Sequence, residues 1–208
     1  MIIISHRGFW NSIDEKNTEK AFNRSFKFGF GTETDVRDCA GKLVISHDMP
    51  LGGEMSLSHY ISLFADNDLL IALNIKSDGM SDLISQKMSK YNKKKWFVFD
   101  MSIPDMKAHI DCGNPVFSRM SEVESQPIWL DYSKGVWLDS FEYEWYDLKL
   151  IKDLISKGKR VCIVSSELHG REYTDLWNML LPLAGEENLI LCTDHPKKAD
   201  FFFNTGVI

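Results

Sequence analysis

Two segments of the sequence place a histidine at the end of an apolar run. His6 and Arg7 follow the segment "IIIS", and His47 follows the segment "LVIS". Imidazole titrates near neutral pH, so two histidines at one site can serve as general acid and general base, while an arginine binds an anion. Taken singly, each histidine is equally well explained by a structural hydrogen bond, and Asp48 would then simply orient His47.

The segment "GTETDVRD" carries two carboxylates at a spacing typical of one strand face. Side chains two residues apart on a strand point the same way, so Glu33 and Asp35 should project together, with Thr34 opposite. Two buried carboxylates need a cation, a proton or a basic partner. An oxygen-only ligand set favours Mg²⁺ or Ca²⁺, whereas pairing with Arg7 or Arg37 requires no metal. The spacing leaves both interpretations open.

The composition is that of a globular protein without an obvious macromolecular partner. The chain has 208 residues, with 24 Lys and Arg against 30 Asp and Glu, so the net charge of −6 does not indicate nucleic-acid binding. The four cysteines lack a CxxC spacing, and Cys162 and Cys192 lie in apolar runs, which favours a reducing cytoplasm. The first residues lack the basic region of a signal peptide, and no run is long enough for a membrane span.

Short β-favouring runs alternate with helical patterns along the chain. The predicted strands are Ile2–Ser5, Thr32–Val36, Leu70–Ile75, Trp96–Met101, Val116–Met120, Val136–Ser140, Arg160–Ser165 and Leu189–Thr193, with an extra strand Lys42–Ser46 after the second. The clearest predicted helices are Thr18–Phe28, Ser81–Tyr91, Tyr146–Lys157 and Arg171–Leu183, whereas the pattern is poor over Ser121–Tyr132.

This rhythm predicts a single small α/β domain, a (β/α)₈ TIM barrel over residues 1–208. A doubly wound open sheet is the alternative, but the first strand is followed by "SHRGFW" and lacks the glycine spacing of a nucleotide-binding turn. Chemistry in a barrel sits at the carboxyl ends of the strands. The polar residues predicted there are His6, Arg7, Glu33, Asp35, Asn74, Lys76, Asp100, Arg119, Asp139, Ser165, Glu167, His169 and Asp194.

Four ordered motifs carry a resemblance to a known family. "HRG" after the first strand, "NTEKAF" at the first helix, "ETD" on the second strand and "ISHD" after the extra strand resemble the glycerophosphodiester phosphodiesterases. That family has a (β/α)₈ barrel related to the barrel of the phosphatidylinositol-specific phospholipases C. The motif-bearing part covers roughly residues 2–76, and the remainder agrees in its alternation of strands and helices.

The resemblance implies a role for each matching residue. His6 and His47 would be the general acid and base, Arg7 and Lys76 would bind the phosphate, and Glu33 and Asp35 would hold one divalent cation, Mg²⁺ or Ca²⁺. In such enzymes a hydroxyl of the substrate's own glycerol attacks phosphorus, and water then opens the cyclic phosphate. Positive charge on the phosphoryl oxygens and a positioned acid and base are what phosphoryl transfer requires.

Two positions depart from the family pattern. Asn74 stands where the family usually has a glutamate in N-I-E-I-K, and Lys16 stands at the glutamate of P-E-N-T. An amide oxygen can still bind a hard cation, so the third metal ligand would be Asn74, with one negative charge fewer. Asn17 is expected either to order the site or to cap the first helix.

Arg119, Asp139, Glu167 and His169 are further candidates without support from the resemblance. Arg119 would contact the phosphate or else pair with Glu122 or Asp100. The possible substrate-recognition residues are Asn17, Asp139, Glu167 and His169. These side chains would recognise the alcohol part of the substrate by hydrogen bonds, although His169 is equally compatible with a surface loop.

We therefore expect a cytoplasmic hydrolase that cleaves a soluble glycerophosphodiester, or a related glycerol-phosphate conjugate, to an alcohol and glycerol phosphate. No amphipathic basic helix suggests stable membrane insertion, and the sequence does not indicate an oligomeric state. Two alternatives remain. A catalytically impaired barrel would bind phosphodiesters without turnover, and a metal-independent lyase resembling phospholipase C would stop at the cyclic phosphate, with Lys16 in place of the cation.

Overall fold

The computed structural model describes residues 1–64 and 67–206, which form two compact units. The central unit is Arg7–Val116, and the terminal unit combines Met1–His6 with Phe117–Ile208. The described parts of the chain contain nine strands and seven α-helices. The assignment of all 208 residues to a single domain stays a prediction.

The elements alternate along most of the chain. The strands are β1 (Ile2–His6), β2 (Gly31–Cys39), β3 (Lys42–Ile45), β4 (Ile71–Ile75), β5 (Trp96–Phe99), β6 (Phe117–Met120), β7 (Gly135–Leu138), β8 (Arg160–Val164) and β9 (Leu189–Thr193). The helices are α1 (Glu19–Lys27), α2 (Leu57–Leu63), α3 (Ser81–Lys90), α4 (Ile103–Asp111), α5 (Leu148–Ser156), α6 (Thr174–Leu180) and α7 (Pro196–Thr205).

The central unit is built on three parallel strands. β4 pairs with β2 on one side and with β5 on the other, and β3 pairs antiparallel with β2 as the predicted extra strand. Burial is nearly continuous along β4, as expected for a parallel strand covered on both faces. The register opposes Asp35 on β2 to Asn74 on β4, so the polar ends of these two strands are neighbours.

Helix α1 shows why this segment folds as predicted. The side chain of Thr18 accepts a hydrogen bond from the backbone N–H of Ala21, which caps the first turn. Phe22 and Phe26 lie on the buried face of the helix. Their rings contact those of Tyr60 and Phe64, with centroid separations of 4.7 and 4.0 Å respectively. An aromatic core therefore joins α1 to α2 and fixes the segment that precedes β2.

The terminal unit has a parallel sheet in the order β1, β9, β8, β7, β6. Its core includes Ile163 and Leu191 on the strands, together with Trp177 and Phe202 on the helices. Among the described residues, three strands of the central unit and five strands of the terminal unit pair in parallel. These eight parallel strands confirm the predicted (β/α)₈ class.

Several boundaries differ from the predicted ones. The segment after β6 holds only a 3₁₀ turn at Leu130–Tyr132 and no α-helix, where the sequence pattern is poor. The patterns do not predict α2, α4 and α7, although Ser56 and Ser102 cap two of them and Pro196 begins the third. These helices span 7 to 10 residues, as do the four helices that the patterns predict.

Two properties of the chain can be checked directly. Among the described residues, none of the helices combines the length and the apolar character that crossing a membrane requires. Cys162 and Cys192 are buried as predicted, and all four cysteines carry free thiols.

Gly8 has a backbone that other residues adopt only with strain. Its φ is +86°, and a Cβ there would lie 2.7 Å from the Cβ of Ala21 and 2.9 Å from its carbonyl carbon. We predict that Gly8→Ala lowers the free energy of unfolding in urea by at least about 2 kcal/mol, from left-handed strain plus overlap with α1. Gly29→Ala is the control, because Gly29 has a φ of +79° but open space. Equal losses in the two variants would contradict the proposed overlap.

Candidate active site

Asp35 is the centre of the polar cluster in the central unit. Its carboxylate is fully buried. Oδ2 lies 2.8 Å from Nε of Arg7 and accepts a hydrogen bond of 2.8 Å from Nδ2 of Asn17. Oδ1 lies 3.5 Å from Nζ of Lys76. Two of the three predicted phosphate-binding cations, Arg7 and Lys76, are therefore brought together on Asp35, one of the predicted metal ligands.

Glu33 lies two residues before Asp35 on the same face of β2 and is also buried. Its Oε2 accepts a hydrogen bond of 3.1 Å from the backbone N–H of Arg7. Burial, and then the charge of Asp35, raise the pKa of Glu33 to about 8, against the opposing effect of Arg7 and Lys76. Removal from water and the neighbouring carboxylate thus favour the neutral form of Glu33 more than the two cations favour its charged form.

Two buried oxygen atoms at this place have no hydrogen-bond partner. They are Oδ1 of Asp35 and Oδ1 of Asn74, whose residues are register partners on β2 and β4. Buried acceptors are rarely left unsatisfied, and a hard cation takes such oxygen atoms as ligands. Within residues 1–64 and 67–206, no group of three or more His, Cys, Asp or Glu side chains is arranged to hold a metal. Glu33, Asp35 and Asn74 therefore fit a cation only if the amide contributes.

Asn17 contacts Asp35 and Thr34 on β2 and is not the helix cap. Its φ is +59°, its backbone N–H donates to the carbonyl of Arg7, and its Oδ1 accepts from the hydroxyl of Thr34 at 2.8 Å. The cap of α1 is Thr18 instead. Of the two roles expected for Asn17, the structure thus shows the contact with Asp35, because the left-handed backbone turns its amide toward β2.

The loop that carries Asn17 is held by Glu15. This buried carboxylate accepts hydrogen bonds from the backbone N–H of Asn11 at 2.9 Å and from the guanidinium of Arg24 at 2.7 Å. Hydrogen bonds from Arg24 and then Lys20 lower the pKa of Glu15 to about 2. Lys16 lies with Nζ 4.6 Å from the ring centroid of Trp10. The loop conformation is therefore set by local charge pairs that the sequence analysis did not identify.

His6 belongs to the terminal unit, where an aspartate orients it. Its Nδ1 lies 2.7 Å from Oδ1 of Asp194, the residue after β9. An ionised carboxylate only accepts, so Nδ1 carries the proton in this contact. Both side chains are largely buried. Asp194 was noted in the sequence only as a polar strand end, and its contact with His6 depends on the pairing of β1 with β9.

His47 lies after β3 in the central unit and is more exposed than His6. Its Nδ1 is 2.9 Å from Oδ1 of Asp48, and its carbonyl oxygen accepts a hydrogen bond of 3.1 Å from Nε of Arg37. Nearly half of the His47 side chain is accessible, against 14% for His6. This contact is the one expected from the sequence if Asp48 orients His47.

The remaining candidates lie in the terminal unit and have protein partners. Arg119 is exposed and pairs with Glu124 at 2.7 Å, rather than with the Glu122 considered from the sequence. Glu167 accepts hydrogen bonds from the hydroxyls of Ser165 and Thr193 and from the backbone N–H of Asp194. Its carboxylate thus supports the residue that orients His6.

Asp139 and His169 form a pair, with Nε2 of His169 2.7 Å from Oδ1 of Asp139. The hydrogen bond that His169 donates to Asp139 raises the pKa of His169, while burial and Arg171 act in the opposite direction. When the pKa of a histidine is higher in the folded than in the unfolded protein, the charged histidine stabilises the fold. This contribution is complete at a pH below the pKa of the unfolded state and is lost as the pH rises through the pKa of the folded state.

We predict that Asp139→Asn lowers the pKa of His169, measured by NMR titration of the imidazole C–H signals. Asparagine retains an acceptor for the backbone N–H of Ser140, which donates to Oδ1 of Asp139 at 2.8 Å. The stability difference between wild type and variant should shrink as the pH rises above the wild-type pKa. His59→Gln serves to assign the signals, since His59 is an exposed histidine of the central unit. An unchanged His169 pKa in Asp139→Asn would contradict the pairing.

Solved structures of phosphodiesterases resemble the whole chain. A glycerophosphodiester phosphodiesterase from Agrobacterium tumefaciens superimposes with a TM-score of 0.73 at 15% identity, over 98% of each chain. An Oleispira antarctica phosphodiesterase, solved in complex with the product sn-glycerol-3-phosphate, gives 0.70 at 15% identity, over 99% of this chain and 97% of that one. A glycerophosphoryl diester phosphodiesterase from Parabacteroides distasonis gives 0.59 at 12% identity, over 100% and 87%.

These likenesses are structural. No family model matches the chain, and no curated protein sequence matches it. At 12 to 15% identity the comparison establishes the fold. The resemblance predicted from the four motifs is therefore confirmed at that level: this chain has the fold of the glycerophosphodiester phosphodiesterases.

Proposed function

We propose that the protein is a phosphoric diester hydrolase that cleaves a soluble glycerophosphodiester, or a related glycerol-phosphate conjugate, to an alcohol and glycerol phosphate. The observation that carries this proposal is the convergence of Arg7 and Lys76 on the buried Asp35, next to Glu33. Two cations held against buried carboxylates at strand ends are suited to a phosphodiester and a divalent cation. The phosphodiesterases that share the fold, one of them with sn-glycerol-3-phosphate bound, support the same reaction class.

Arg7 and Lys76 are proposed to bind the non-bridging phosphoryl oxygens. Arg7 places its Nε against Asp35, so its planar guanidinium is oriented by the protein. Its terminal amino groups are proposed to bind the phosphate. Lys76 is held on the other carboxylate oxygen. The fixed positions reduce the entropy that these two long side chains would lose when the substrate binds.

Glu33, Asp35 and Asn74 are proposed to hold one Mg²⁺ or Ca²⁺. When bound, such an ion withdraws charge from the phosphoryl group and the attacking hydroxyl. The chain's own contribution is to keep three oxygen atoms in a dry place on β2 and β4. The two buried oxygen atoms without a hydrogen-bond partner, Oδ1 of Asp35 and Oδ1 of Asn74, support this assignment.

His6 and His47 are proposed as the general acid and base, as the motif resemblance implies. The carboxylate of Asp194 holds the proton of His6 on Nδ1, so Nε2 would exchange the catalytic proton. One histidine would remove the proton of the attacking glycerol hydroxyl, and the other would protonate the departing alcohol. Their roles reverse when water opens the cyclic phosphate.

Recognition of the alcohol is proposed for Asp139, His169 and Glu167, together with Asn17, and a phosphate contact for Arg119. The best supported of these is His169, because its pairing with Asp139 favours a charged imidazolium that donates hydrogen bonds to a polar alcohol. A cytoplasmic location also belongs to the proposal, and four free thiols suit a reducing compartment.

The reaction is tested by incubating the protein with glycerophosphoethanolamine and Mg²⁺ or Ca²⁺, with products followed by phosphorus NMR. We predict glycerol phosphate as the final product, loss of turnover in EDTA, and a fall of about 10²- to 10⁴-fold in kcat for His6→Ala and His47→Ala. His59→Ala is the control, because His59 is an exposed histidine of the same chain, paired with Glu19. Full activity in both His6 and His47 variants would refute the assigned roles, and a cyclic phosphate as the end product would refute hydrolysis.

Asp194 is predicted to act through His6. Asp194→Asn should lower kcat by between tenfold and a thousandfold, roughly up to the size of a general acid–base contribution, with a smaller change in KM. The pKa of His6, followed by NMR, should fall in the variant because the neighbouring negative charge is removed. Asp48→Asn is the matched change at His47, where the aspartate is 93% exposed and should matter less. An unchanged His6 pKa in Asp194→Asn would contradict the assignment.

A further inference from the structure

Asn74 is a buried amide whose orientation is fixed by one contact. It is 8% exposed, and its Nδ2 donates a hydrogen bond of 3.2 Å to Oδ2 of Asp100. An ionised carboxylate cannot donate, so the amino end of the amide must face Asp100. Oδ1 is then directed elsewhere, and it is buried without a hydrogen-bond partner. The contact thus leaves the amide oxygen of Asn74 available as a ligand.

Asp100 reaches this amide through an uncommon backbone conformation. It follows β5 with a φ of +66°, a value that non-glycine residues adopt rarely and usually for a local reason. The left-handed turn ends β5 at Phe99, two residues before the predicted end at Met101. Phe99 is the register partner of Asn74. The turn therefore places a carboxylate next to the buried amide.

Asn74 and Asp100 together provide the ligand oxygen and the negative charge that a single acidic side chain would provide. A glutamate at position 74 would bring both a ligand oxygen and a negative charge. Asn74 brings the oxygen, and Asp100 brings the charge and fixes the amide. Residues that hold a metal ligand by a hydrogen bond commonly set its orientation and its strength as a ligand.

We propose that Asp100 is the positioning residue of the cation site, because it orients Asn74 so that its amide oxygen joins Glu33 and Asp35, and supplies the negative charge that the amide lacks. This inference rests on the cation in the proposed function. It extends that function by assigning a role to a strand end that neither the motifs nor their resemblance to the family identifies.

The test is isothermal titration calorimetry of the whole chain with MgCl₂ and with CaCl₂. Asp100→Asn keeps an acceptor and tolerates the left-handed backbone but removes the charge, and we expect it to weaken binding about tenfold. Asp100→Gly removes both the charge and the hydrogen bond without backbone strain, and we expect a loss approaching a hundredfold. The cation-induced rise in melting temperature should shrink in the same order.

Asp111→Asn is the matched control, since it removes one negative charge from the exposed last residue of α4. It should bind the cation like the wild type. A charge exchange gives a stricter test. Asn74→Asp combined with Asp100→Asn restores the number of charges, so its affinity should exceed that of Asp100→Asn alone and lie within about tenfold of the wild type.

Wild-type affinity in both Asp100→Asn and Asp100→Gly would overturn the inference, as would a wild-type protein that binds neither cation. Hydrolysis of glycerophosphoethanolamine, measured in parallel with and without EDTA, separates this failure from that of the proposed function. A protein that hydrolyses the diester in EDTA is still a phosphodiesterase but has no role for Asp100 in cation binding. If Asp100→Gly does not fold, Asp100→Asn and the charge exchange decide the question.

Discussion

The burial of two carboxylates on one face of β2 is the constraint on which the polar part of the central unit depends. Glu33 and Asp35 are almost wholly removed from water, and the free-energy cost of an uncompensated buried charge is high. The cations Arg7 and Lys76 and the amide of Asn17 are drawn to Asp35 for this reason. Burial, and then the charge of Asp35, raise the pKa of Glu33, whereas Arg7 and Lys76 lower it.

The backbone around these carboxylates is correspondingly strained. Arg7, Asn17 and Asp100 all have left-handed backbones, with φ of 56°, 59° and 66°. Each of them presents a polar side chain to the buried cluster. Strain of this kind costs of order 1–3 kcal/mol per residue and persists only where the surrounding structure enforces it. Hydrogen bonds between the loop and β2, such as that from Gly8 to Thr32, provide this support.

Aspartates orient both histidines proposed for catalysis, but in different ways. His47 is oriented by the residue next to it in the chain, in an exposed loop. His6 is oriented by Asp194, 188 residues away, because parallel pairing brings the ends of β1 and β9 together. Glu167 in turn holds the backbone of Asp194. The less exposed histidine therefore has the longer chain of supporting contacts, as expected where proton exchange requires a fixed tautomer.

The sequence by itself determined the class of fold and most of the residues brought together around Asp35. Alternating apolar runs and helical patterns were sufficient for this, because strand and helix periods are local properties, and the two-residue spacing of Glu33 and Asp35 fixed their common face. The tertiary structure alone decided that Asn74 is turned by Asp100 and that His6 is turned by Asp194. These contacts depend on strand register and on one left-handed residue, and neither is encoded in the pattern of neighbouring side chains. Hydrogen bonds between residues far apart in the sequence can be identified only in the folded structure.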